Sequence, residues 1–322
     1  MPPRAPFTLP DPPVILAPMA GITDLPFRRA VARFGAGLTV SEMVASDEVL
    51  RDRPEARARA AGVAEGEAVQ LVGRDPALMA EAARLVTGQG AKAIDINMGC
   101  PSRRVTTGAC GAALLTEPDR ALEIVEAVVG ATHLPVTLKT RLGWDDRAHT
   151  AADLARRAAG AGVAMVTIHG RTRCQFYKGR ADWAAIAPVV AAAGVPVIAN
   201  GDITDAATAR AALTASGAAG VMVGRGAQGR PWLPAQIAHA LHGTAAPTVP
   251  QGAALADAVV RHYEEALSFH GRDLGGKMVR KHLGWYLDAA GAARGAALTA
   301  EDPATVIAHL RLALASPERA AA

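Results

Sequence analysis

The sequence predicts an α/β fold: a (β/α)8 or TIM barrel of eight parallel strands, followed by a small all-helical C-terminal domain. Short apolar runs recur along most of the chain, and each leads through a polar or glycine-bearing turn into an alanine-rich helical stretch. Strands that alternate with helices pair in parallel through right-handed crossovers, and eight such units close naturally into a barrel. An open doubly wound sheet of the same units is the alternative topology.

The strand candidates share one pattern. They begin near Val14, Leu38, Ala68, Ala93, Pro135, Met165, Pro196 and Gly220. Three of them, Leu-Thr-Val-Ser, Ile-Asp-Ile-Asn and Val-Thr-Leu-Lys, alternate apolar and polar residues. Such alternation is expected of strands that face a filled barrel interior on one side and an outer ring of helices on the other.

The pattern changes after Trp232. Residues 243–250 form a linker rich in Pro, Thr and Ala, and from Leu255 onward the periodicity is helical, with no strand candidate. We therefore expect a barrel domain over residues 1–245 and a helical domain over residues 246–322.

Composition narrows the class of protein. Half of the 322 residues are hydrophobic but only 4% are aromatic, so the core must be built mainly from Ala, Val, Leu and Ile. The three cysteines contain no Cys-x-x-Cys pair, which argues against a disulfide framework or a zinc site and favours a reducing cytoplasm. The first residues lack a signal-peptide pattern, and no apolar run is long enough to span a bilayer. The sequence thus predicts a cytoplasmic protein without metal or membrane, and its net charge of +4 is compatible with nucleic-acid binding.

The motif Asp-Ile-Asn-Met-Gly-Cys-Pro at residues 95–101 directly follows an apolar strand-like run. Its glycine and proline force a turn that presents the Cys100 thiol close to the Asn97 carboxamide. Such a combination is typical of a site that holds a flat polar ligand and gives it a proton. The alternative is that Cys100 is a small buried apolar residue, as most free cysteines are.

The ends of the predicted strands are unusually polar, and in a parallel barrel functional residues gather at these ends. The first strand ends in Pro18, Met19 and Ala20, whose backbone can approach a ligand closely. The later strand ends carry Gln70, Asn97, Cys100, Lys139, Arg141, His169, Arg171, Asn200, Gly201, Asp202, Gly224 and Arg225. Taken singly, the lysine could be a surface residue, and the histidine and the glutamine could be hydrogen-bonded core residues.

A glycine pattern, G-x-G-x-x-G, spans residues 224–229 and would suggest a dinucleotide-binding fold. That interpretation is weak, because Pro231 follows almost at once and no acidic residue stands about twenty positions further on, as that fingerprint expects. In a barrel, the loops after strands seven and eight are the usual phosphate site. Asn200-Gly201 and Gly224-Arg225 therefore indicate a phosphate cradle.

Six motifs together resemble those of the tRNA-dihydrouridine synthases, flavin mononucleotide (FMN) enzymes on a (β/α)8 barrel with a helical C-terminal domain. They are Ala-Pro-Met-Ala-Gly-Ile-Thr-Asp at 17–24, the Cys100 motif, Leu-Lys-Thr-Arg at 138–141, Thr-Ile-His-Gly-Arg-Thr-Arg at 167–173, Ile-Ala-Asn-Gly-Asp-Ile at 198–203 and Val-Gly-Arg-Gly-Ala-Gln-Gly-Arg-Pro-Trp at 223–232. The resemblance covers the barrel and, more loosely, the helical tail, and it is greatest to the bacterial B subfamily.

The resemblance implies that specific uridines in the D loop of tRNA are reduced to 5,6-dihydrouridine with NADPH as electron donor. Hydride would pass from flavin N5 to uracil C6, and Cys100 would give a proton to C5. The flavin would be bound by Pro18, Met19, Ala20, Gln70, Lys139, His169, Asn200, Gly201, Asp202, Gly224 and Arg225. Asn97 would face the uracil, and the tRNA would contact Arg141, Arg171, Tyr177, Lys277, Arg280 and Lys281. The last three of these fall on one face of a predicted helix, for which a solvated charged face is the alternative. We expect a monomer.

One segment departs from the family pattern. In residues 102–111, Arg103, Arg104 and Cys110 stand in a loop that is richer in lysine in many relatives. A structural role for Cys110 is favoured over a second thiol near the site, and Cys174 is interpreted as structural.

Two other functions fit part of the sequence. A flavin barrel acting on a free dihydropyrimidine or dihydroorotate would keep the strand-end residues and the thiol but would not need the basic helix face. A non-catalytic RNA-binding protein would keep the basic surface but would not need Cys100, Lys139 or a phosphate cradle.

Overall fold

The computed structural model describes residues 7–35, 37–61 and 67–315. The first six residues, where the sequence shows no signal-peptide pattern, and the end of the predicted helical domain after residue 315 lie outside the described residues. Within them the predicted architecture is confirmed. Strands and helices alternate as far as residue 242, and helices alone follow.

The strands of the described residues begin within one residue of the predicted positions, and one further strand is present. They are β1 (Val14–Leu16), β2 (Leu38–Thr39), β3 (Val44–Ala45), β4 (Ala68–Val72), β5 (Ala93–Met98), β6 (Val136–Arg141), β7 (Met165–His169), β8 (Val197–Asn200) and β9 (Gly220–Val223). The additional strand, β3, continues the second predicted strand after a break at residues 40–43.

The sheet is parallel throughout and closes on itself. Its order is β2-β1-β9-β8-β7-β6-β5-β4-β3, and Val40, directly after β2, pairs with Ala68 at the start of β4. Further along, Val44 of β3 lies opposite Leu71 of β4. The second strand therefore carries one residue more than β4 between these pairs, which is a bulge. This closure confirms the TIM barrel, and the open doubly wound alternative is wrong.

Helices cover the outside of the barrel. They are α1 (Leu25–Ala32), α2 (Ser46–Leu50), α3 (Pro54–Ala60), α4 (Pro76–Gly88), α5 (Arg103–Thr106), α6 (Pro118–Ala131), α7 (Ala151–Gly160), α8 (Ala187–Ala193), α9 (Ala206–Ser216) and α10 (Leu233–His242). Local sequence explains where several begin. Before α4, for example, the Asp75 carboxylate accepts hydrogen bonds from the N–H groups of Ala77 and Leu78, and Pro76 occupies the first helical position.

The barrel core has two apolar layers. One lies between the strands and the surrounding helices. The other fills the lower part of the barrel interior, where Ile15, Ala68, Met165, Ile198 and Met222 pack together. Towards the C-terminal ends of the strands the interior becomes polar, because the inward positions of the alternating strands are Asp, Asn, Thr, Lys and His. The apolar layer therefore forms a floor beneath a polar mouth.

The C-terminal helices form their own hydrophobic cluster. After residues 243–251, which contain no helix or strand, come α11 (Gly252–His270), α12 (Arg272–Ala289) and α13 (Pro303–Ala315), which bury residues such as Val259, Leu283 and Leu310 against one another. Within the described part of the chain, no helix is long and apolar enough to cross a membrane.

The helical region packs against α1 of the barrel through aromatic rings and one polar pair. The ring of Phe27 lies 4.8 Å from His282 and 5.8 Å from His262. Burial lowers the pKa of His262 to about 4 and that of His282 to about 3, so both rings are neutral at pH 7. His270 Nε2 lies 2.8 Å from the carboxylate of Asp24, which also caps α1. This junction fixes α11 and α12 beside the loop that follows β1.

A pair of glycines allows this packing to be tested. Gly229 and Gly243 both have positive φ, +70° and +68°. A methyl group at Gly229 would overlap the carbonyl oxygen of Trp285 in α12, whereas one at Gly243 would meet nothing within 4 Å. We predict that Gly243→Ala lowers the free energy of unfolding by about 1 kcal/mol, from backbone strain alone. Gly229→Ala should lower it by about 2–4 kcal/mol, because strain and overlap add. Urea unfolding measures both, and equal losses would contradict close packing of Gly229 against α12.

Candidate active site

The strand registers bring the predicted polar side chains together at the barrel mouth. Asn97 of β5 lies opposite Lys139 of β6, Arg141 lies opposite His169 of β7, and His169 lies opposite Asn200 of β8. Residues two apart on a strand share a face. Asn97, Lys139 and their neighbours therefore form one continuous polar layer above the apolar floor.

Cys100 lies on a tightly held turn at the edge of this layer. The N–H groups of Gly99 and Cys100 both donate to Asn97 Oδ1, at 3.1 and 3.0 Å, which is a local side-chain turn of the kind that asparagine favours. The thiol is half-buried, and its sulfur lies 3.4 Å from Ser102 Oγ. Gly111 packs behind it, where an added methyl group would lie 2.9 Å from the Cys100 carbonyl oxygen. We call residues 99–111 the thiol loop.

Three arginines from different elements hold the thiol loop. Arg141 Nε donates to the carbonyl oxygen of Gly99 at 2.8 Å. Arg74 makes two hydrogen bonds of 2.7 Å to Glu117 and a longer one to the carbonyl oxygen of Ala109. The third is Arg173, whose guanidinium lies between two rings, 4.7 Å from Trp144 and 5.0 Å from Phe176, and reaches the Thr106 hydroxyl at 3.4 Å. These contacts make the turn at Cys100 a defined structure.

A chain of buried amides lies below the thiol loop. Asn97 Nδ2 donates to Gln70 Oε1 at 2.8 Å, and Gln70 Nε2 donates to Asp95 Oδ2 at 2.7 Å. The hydroxyl of Thr137 lies 2.6 Å from the other oxygen of Asp95. Burial raises the pKa of the Asp95 carboxyl group. Gln70, predicted to bind the cofactor, is only 1% exposed, so it lies one layer deeper than Asn97.

Lys139 is a half-buried cation in the middle of the mouth. Its ammonium donates to Asn200 Oδ1 at 3.2 Å, and Asn200 Nδ2 in turn donates to the carbonyl oxygen of Met222. No carboxylate of the described residues lies within ion-pair distance of it. Burial, and next the Arg141 guanidinium, lower the pKa of Lys139 to about 8. Asp95 acts on Lys139 electrostatically and partly offsets this shift. The ammonium still has no carboxylate of the described residues in contact with it, which suits an anionic ligand.

The neighbouring side of the mouth is also positive. Arg171 Nη2 donates to Asp202 Oδ2 at 2.6 Å, and Arg225 lies 3.8 Å from the other oxygen of that carboxylate. Burial opposes ionisation of Asp202, but the hydrogen bonds from Arg171 and from the Ala181 N–H outweigh it and lower the pKa. Burial and the nearby arginines lower the pKa of His169 well below its ordinary value. His169 is therefore neutral at pH 7 and can donate or accept a hydrogen bond.

The two predicted phosphate-binding turns lie at this positive side. Gly201 has φ of +114°, and an added methyl group would lie 2.9 Å from the His169 ring. At Gly224 a methyl group would meet only Met19 and Ala17, at 3.6 and 3.8 Å. Glycine is thus required at 201 by backbone and space, whereas at 224 a methyl group would make only ordinary van der Waals contacts with side chains of the first strand end.

Tyr177 stands over the mouth. It is 53% exposed, and two guanidinium groups lie near its ring, that of Arg141 at 5.5 Å and that of Arg225 at 5.1 Å from the ring centre. The ring of His169 lies 6.4 Å away. Because more than half of its surface is exposed, this ring offers an aromatic surface beside two cations for stacking a flat ligand.

Two predicted tRNA contacts are less accessible than the sequence suggested. Arg141 and Arg171 are 1% and 2% exposed. Arg141 donates to the carbonyl oxygens of Gly99, Thr172 and Phe176, and Arg171 donates to those of Lys178 and Gly179. Their guanidinium groups therefore organise the loops around the mouth.

The basic residues of α12 divide between two surfaces. Lys277 is exposed, and Arg280 is half-buried with its guanidinium 3.5 Å from the carbonyl oxygen of Ala300. Lys281 is exposed beside the loop after β1, where its ammonium lies 3.4 Å from the position of an added methyl group at Gly21. Lys281 therefore belongs to the rim of the barrel mouth, whereas Arg280 faces the helical region.

The sequence analysis gave no role to two buried carboxyl groups of the site. Asp95 anchors the amide chain. The sequence feature that could have identified it is a polar residue at an inward-facing position of a predicted strand. Glu42 lies in the bulge of the second strand, where it accepts a hydrogen bond from the Gly21 N–H, and burial raises its pKa. No sequence signal separates it from a surface glutamate. Of the remaining cysteines, Cys110 is half-buried with its thiol directed at the Gly108 carbonyl oxygen, and Cys174 is exposed.

We predict that Lys139→Met stabilises the protein in the absence of ligand. The pKa of Lys139 is lowered from 10.5 to about 8, so the unfolded chain binds the proton more tightly than the folded one. The loss of folding stability caused by burying the charged Lys139 is fully present below pH 8 and disappears as the pH rises towards 10.5. At pH 7 the variant should gain about 1–2 kcal/mol in free energy of unfolding, and the gain should shrink at pH 9.5. Urea unfolding measures this, with the exposed Lys178→Met as control; a loss of stability at pH 7 would contradict it.

Comparison with known proteins identifies the family. The family model for dihydrouridine synthases (Dus) matches residues 15–313. The chain is 62% identical over 314 residues to a probable tRNA-dihydrouridine synthase of Rhodobacter capsulatus, covering 96% of this chain and 97% of that protein. It is 49% identical to a probable tRNA-dihydrouridine synthase of Rhizobium leguminosarum, covering 94% and 95%. It is 45% identical to tRNA-dihydrouridine synthase B of Vibrio cholerae, covering 85% and 86%. The resemblance carried by the motifs is thus confirmed, and the chain belongs to the dihydrouridine synthase family.

Proposed function

We propose that this protein is a tRNA-dihydrouridine synthase that reduces specific uridines in the D loop of tRNA, using FMN and NADPH. The observation that carries the proposal is the pairing of a cation without a contacting carboxylate, Lys139, with a rigidly held thiol, Cys100, at one barrel mouth. A redox cofactor that becomes anionic on reduction needs a nearby cation such as Lys139. A substrate that must be protonated after hydride addition needs an acid such as the Cys100 thiol. The names of the similar proteins support the choice of tRNA as substrate.

The residues of the mouth fit FMN. Its phosphate suits the turns at Gly201 and Gly224 beside Arg225, and the backbone of Pro18, Met19 and Ala20 would approach its ring. Lys139 would lie near the part of the ring where negative charge accumulates on reduction, and such an anion would supply the counter-ion that it lacks. His169, Asn200 and Asp202 would contact the ribityl chain. When bound, the flavin would supply the hydride to uracil C6.

Cys100 would serve as the acid. Hydride addition at C6 leaves negative charge over C5 and O4 of the uracil, and the thiol would deliver a proton to C5. In this role the side chain acts as a proton donor and not as a nucleophile. Asn97 holds the Cys100 N–H through its Oδ1, and its remaining N–H would point towards the base. In this scheme the fixed turn keeps the proton donor in one position.

The target uridine must leave its stack to enter the mouth, which costs least in a tRNA loop. Tyr177 would stack on it or on a neighbouring base, and Lys277, Arg280 and Lys281 would contact phosphates. Arg141 and Arg171 would act through the loops that they hold. We propose residues 1–245 as the catalytic domain and residues 246–322 as the tRNA-binding domain of a cytoplasmic monomer.

Cys100→Ala tests the proposed acid. We expect dihydrouridine formation in tRNA to fall at least about 100-fold, because general acid catalysis contributes on this scale. Reduction of the bound flavin by NADPH should stay largely intact, since the thiol takes no part in it. Mass spectrometry of digested tRNA and the flavin absorbance at mixing with NADPH measure the two half-reactions.

Cys110→Ala is the matched control, because that thiol lies in the same loop but points at the Gly108 carbonyl oxygen. It should retain most of the activity. Unchanged turnover of Cys100→Ala on tRNA would remove the acid assignment, and a purified protein that neither contains nor takes up FMN would remove the proposed cofactor.

Lys277→Ala combined with Lys281→Ala tests the proposed tRNA surface. We expect weaker tRNA binding. The slope of log affinity against log salt concentration should be smaller in magnitude by about 1–2, because binding with fewer phosphate contacts releases fewer counter-ions. Lys92→Ala is the control, since Lys92 is exposed at the opposite, N-terminal end of β5. Equal affinities of the double variant and the control at every salt concentration would exclude α12 from the tRNA interface.

A further inference from the structure

The polarity of the buried amide chain is set from its backbone end. The N–H groups of Gly99 and Cys100 can only donate, so the atom of Asn97 that faces them must be its oxygen. Asn97 Nδ2 then faces Gln70, which must present its own oxygen. Gln70 Nε2 is left facing Asp95 Oδ2, which must accept. Each amide has only one orientation that satisfies every neighbour.

We infer that Asp95 is a positioning residue of the active site, which fixes Gln70 and, through it, Asn97 and the turn at Cys100. Asp95 is only 2% exposed and lies below the ligand-facing layer. The oxygen that faces Gln70 accepts whether the carboxyl group is ionised or protonated, because the Thr137 hydroxyl can take either hydrogen-bonding role at the other oxygen. The anchor therefore holds in both protonation states.

One consequence concerns what Asn97 can recognise, and this step rests on the proposed function. Asn97 Oδ1 already accepts two backbone N–H groups, and one Nδ2 hydrogen is given to Gln70. Among the residues that the structure describes, the second Nδ2 hydrogen has the Met43 sulfur as its acceptor, at 3.8 Å, and sulfur is a weak acceptor. Asn97 thus offers a ligand one donor and no acceptor. It would bind a carbonyl oxygen of the uracil and not its ring N–H.

A competing role for Asp95 is that of counter-ion to Lys139. The hydrogen bonds favour the anchor. Both oxygens of Asp95 are engaged by Gln70 and Thr137, whereas the Lys139 ammonium is bonded to Asn200. The two roles predict different effects of removing only the charge, and this provides the test.

Asp95→Asn and Asp95→Leu form the matched pair. Asparagine keeps an oxygen towards Gln70 and removes the charge, and leucine has a similar branched shape without an acceptor. The readout is the rate at which iodoacetamide alkylates Cys100 in the purified full-length protein, followed by peptide mass spectrometry. Cys110 and Cys174 in the same sample report general loosening. No tRNA or NADPH is added, so the result stands even if the proposed reaction is wrong.

We expect Asp95→Leu to raise the alkylation rate of Cys100 at least about fivefold relative to Cys110, and Asp95→Asn to stay within about twofold of the unchanged protein. If Asp95→Leu does not fold, Gln70→Met breaks the same chain one link later and should give the same selective rise. An equal rise in both Asp95 variants would show that Asp95 acts as the counter-ion of Lys139. No selective change of Cys100 alkylation in any variant would refute the role of Asp95 as an anchor.

Discussion

The register between β5 and β6 is the constraint on which the site depends. It places Asn97 beside Lys139, and so puts the support of the thiol next to the cation. Because side chains alternate along a strand, a shift of either strand by one residue would turn its own group, Asn97 or Lys139, towards the outer helices. Ala93 of β5 belongs to the apolar floor with residues such as Met165, and a shift of β5 would turn Ala93 out of that floor, so the packing of the floor opposes the shift. Packing energy at the bottom of the barrel therefore maintains the chemistry at its top.

Buried polar groups are satisfied on one side of the mouth, below Cys100, and left partly unsatisfied on the other side, around Lys139. Below Cys100, Asn97, Gln70 and Asp95 satisfy one another, and a fully connected network is rigid because each alternative orientation leaves a buried donor or acceptor unpaired. Around Lys139 no carboxylate of the described residues contacts the charge, and its lowered pKa shows that burial of the charge costs free energy. The rigid half fixes geometry before any ligand arrives. An anion bound beside Lys139 would offset the free energy lost by burying its charge. Folding stability that is lost in the free protein would then contribute to the affinity for the anion.

The sequence predicted the parts of this arrangement that follow from the alternation of side chains along a strand and from the position of a residue at a strand end. Strand starts and the inward placement of Asn97 and Lys139 could be read from alternation alone. The bulge that brings Glu42 to the Gly21 N–H could not, because one extra residue in a short strand leaves no periodic signal. Arg141 and Arg171 were placed correctly at strand ends, yet their burial depends on loops that fold back and present carbonyl oxygens such as that of Phe176. Long-range closure of this kind is not encoded in any local pattern.

The helical region is part of the wall of the mouth as well as a separate apolar cluster. Asp24 caps α1 and also binds His270 of α11, so one carboxylate links the loop after β1 to the helical region. The same loop contains Gly21, beside which Lys281 of α12 lies. Because His262 and His282 are neutral at pH 7, they pack against the barrel as ordinary rings, and the junction carries no net repulsion. Any tilt of α12 would therefore move Lys281 relative to the first strand end, which couples the position of a rim cation to the packing of the aromatic cluster around the neighbouring His282.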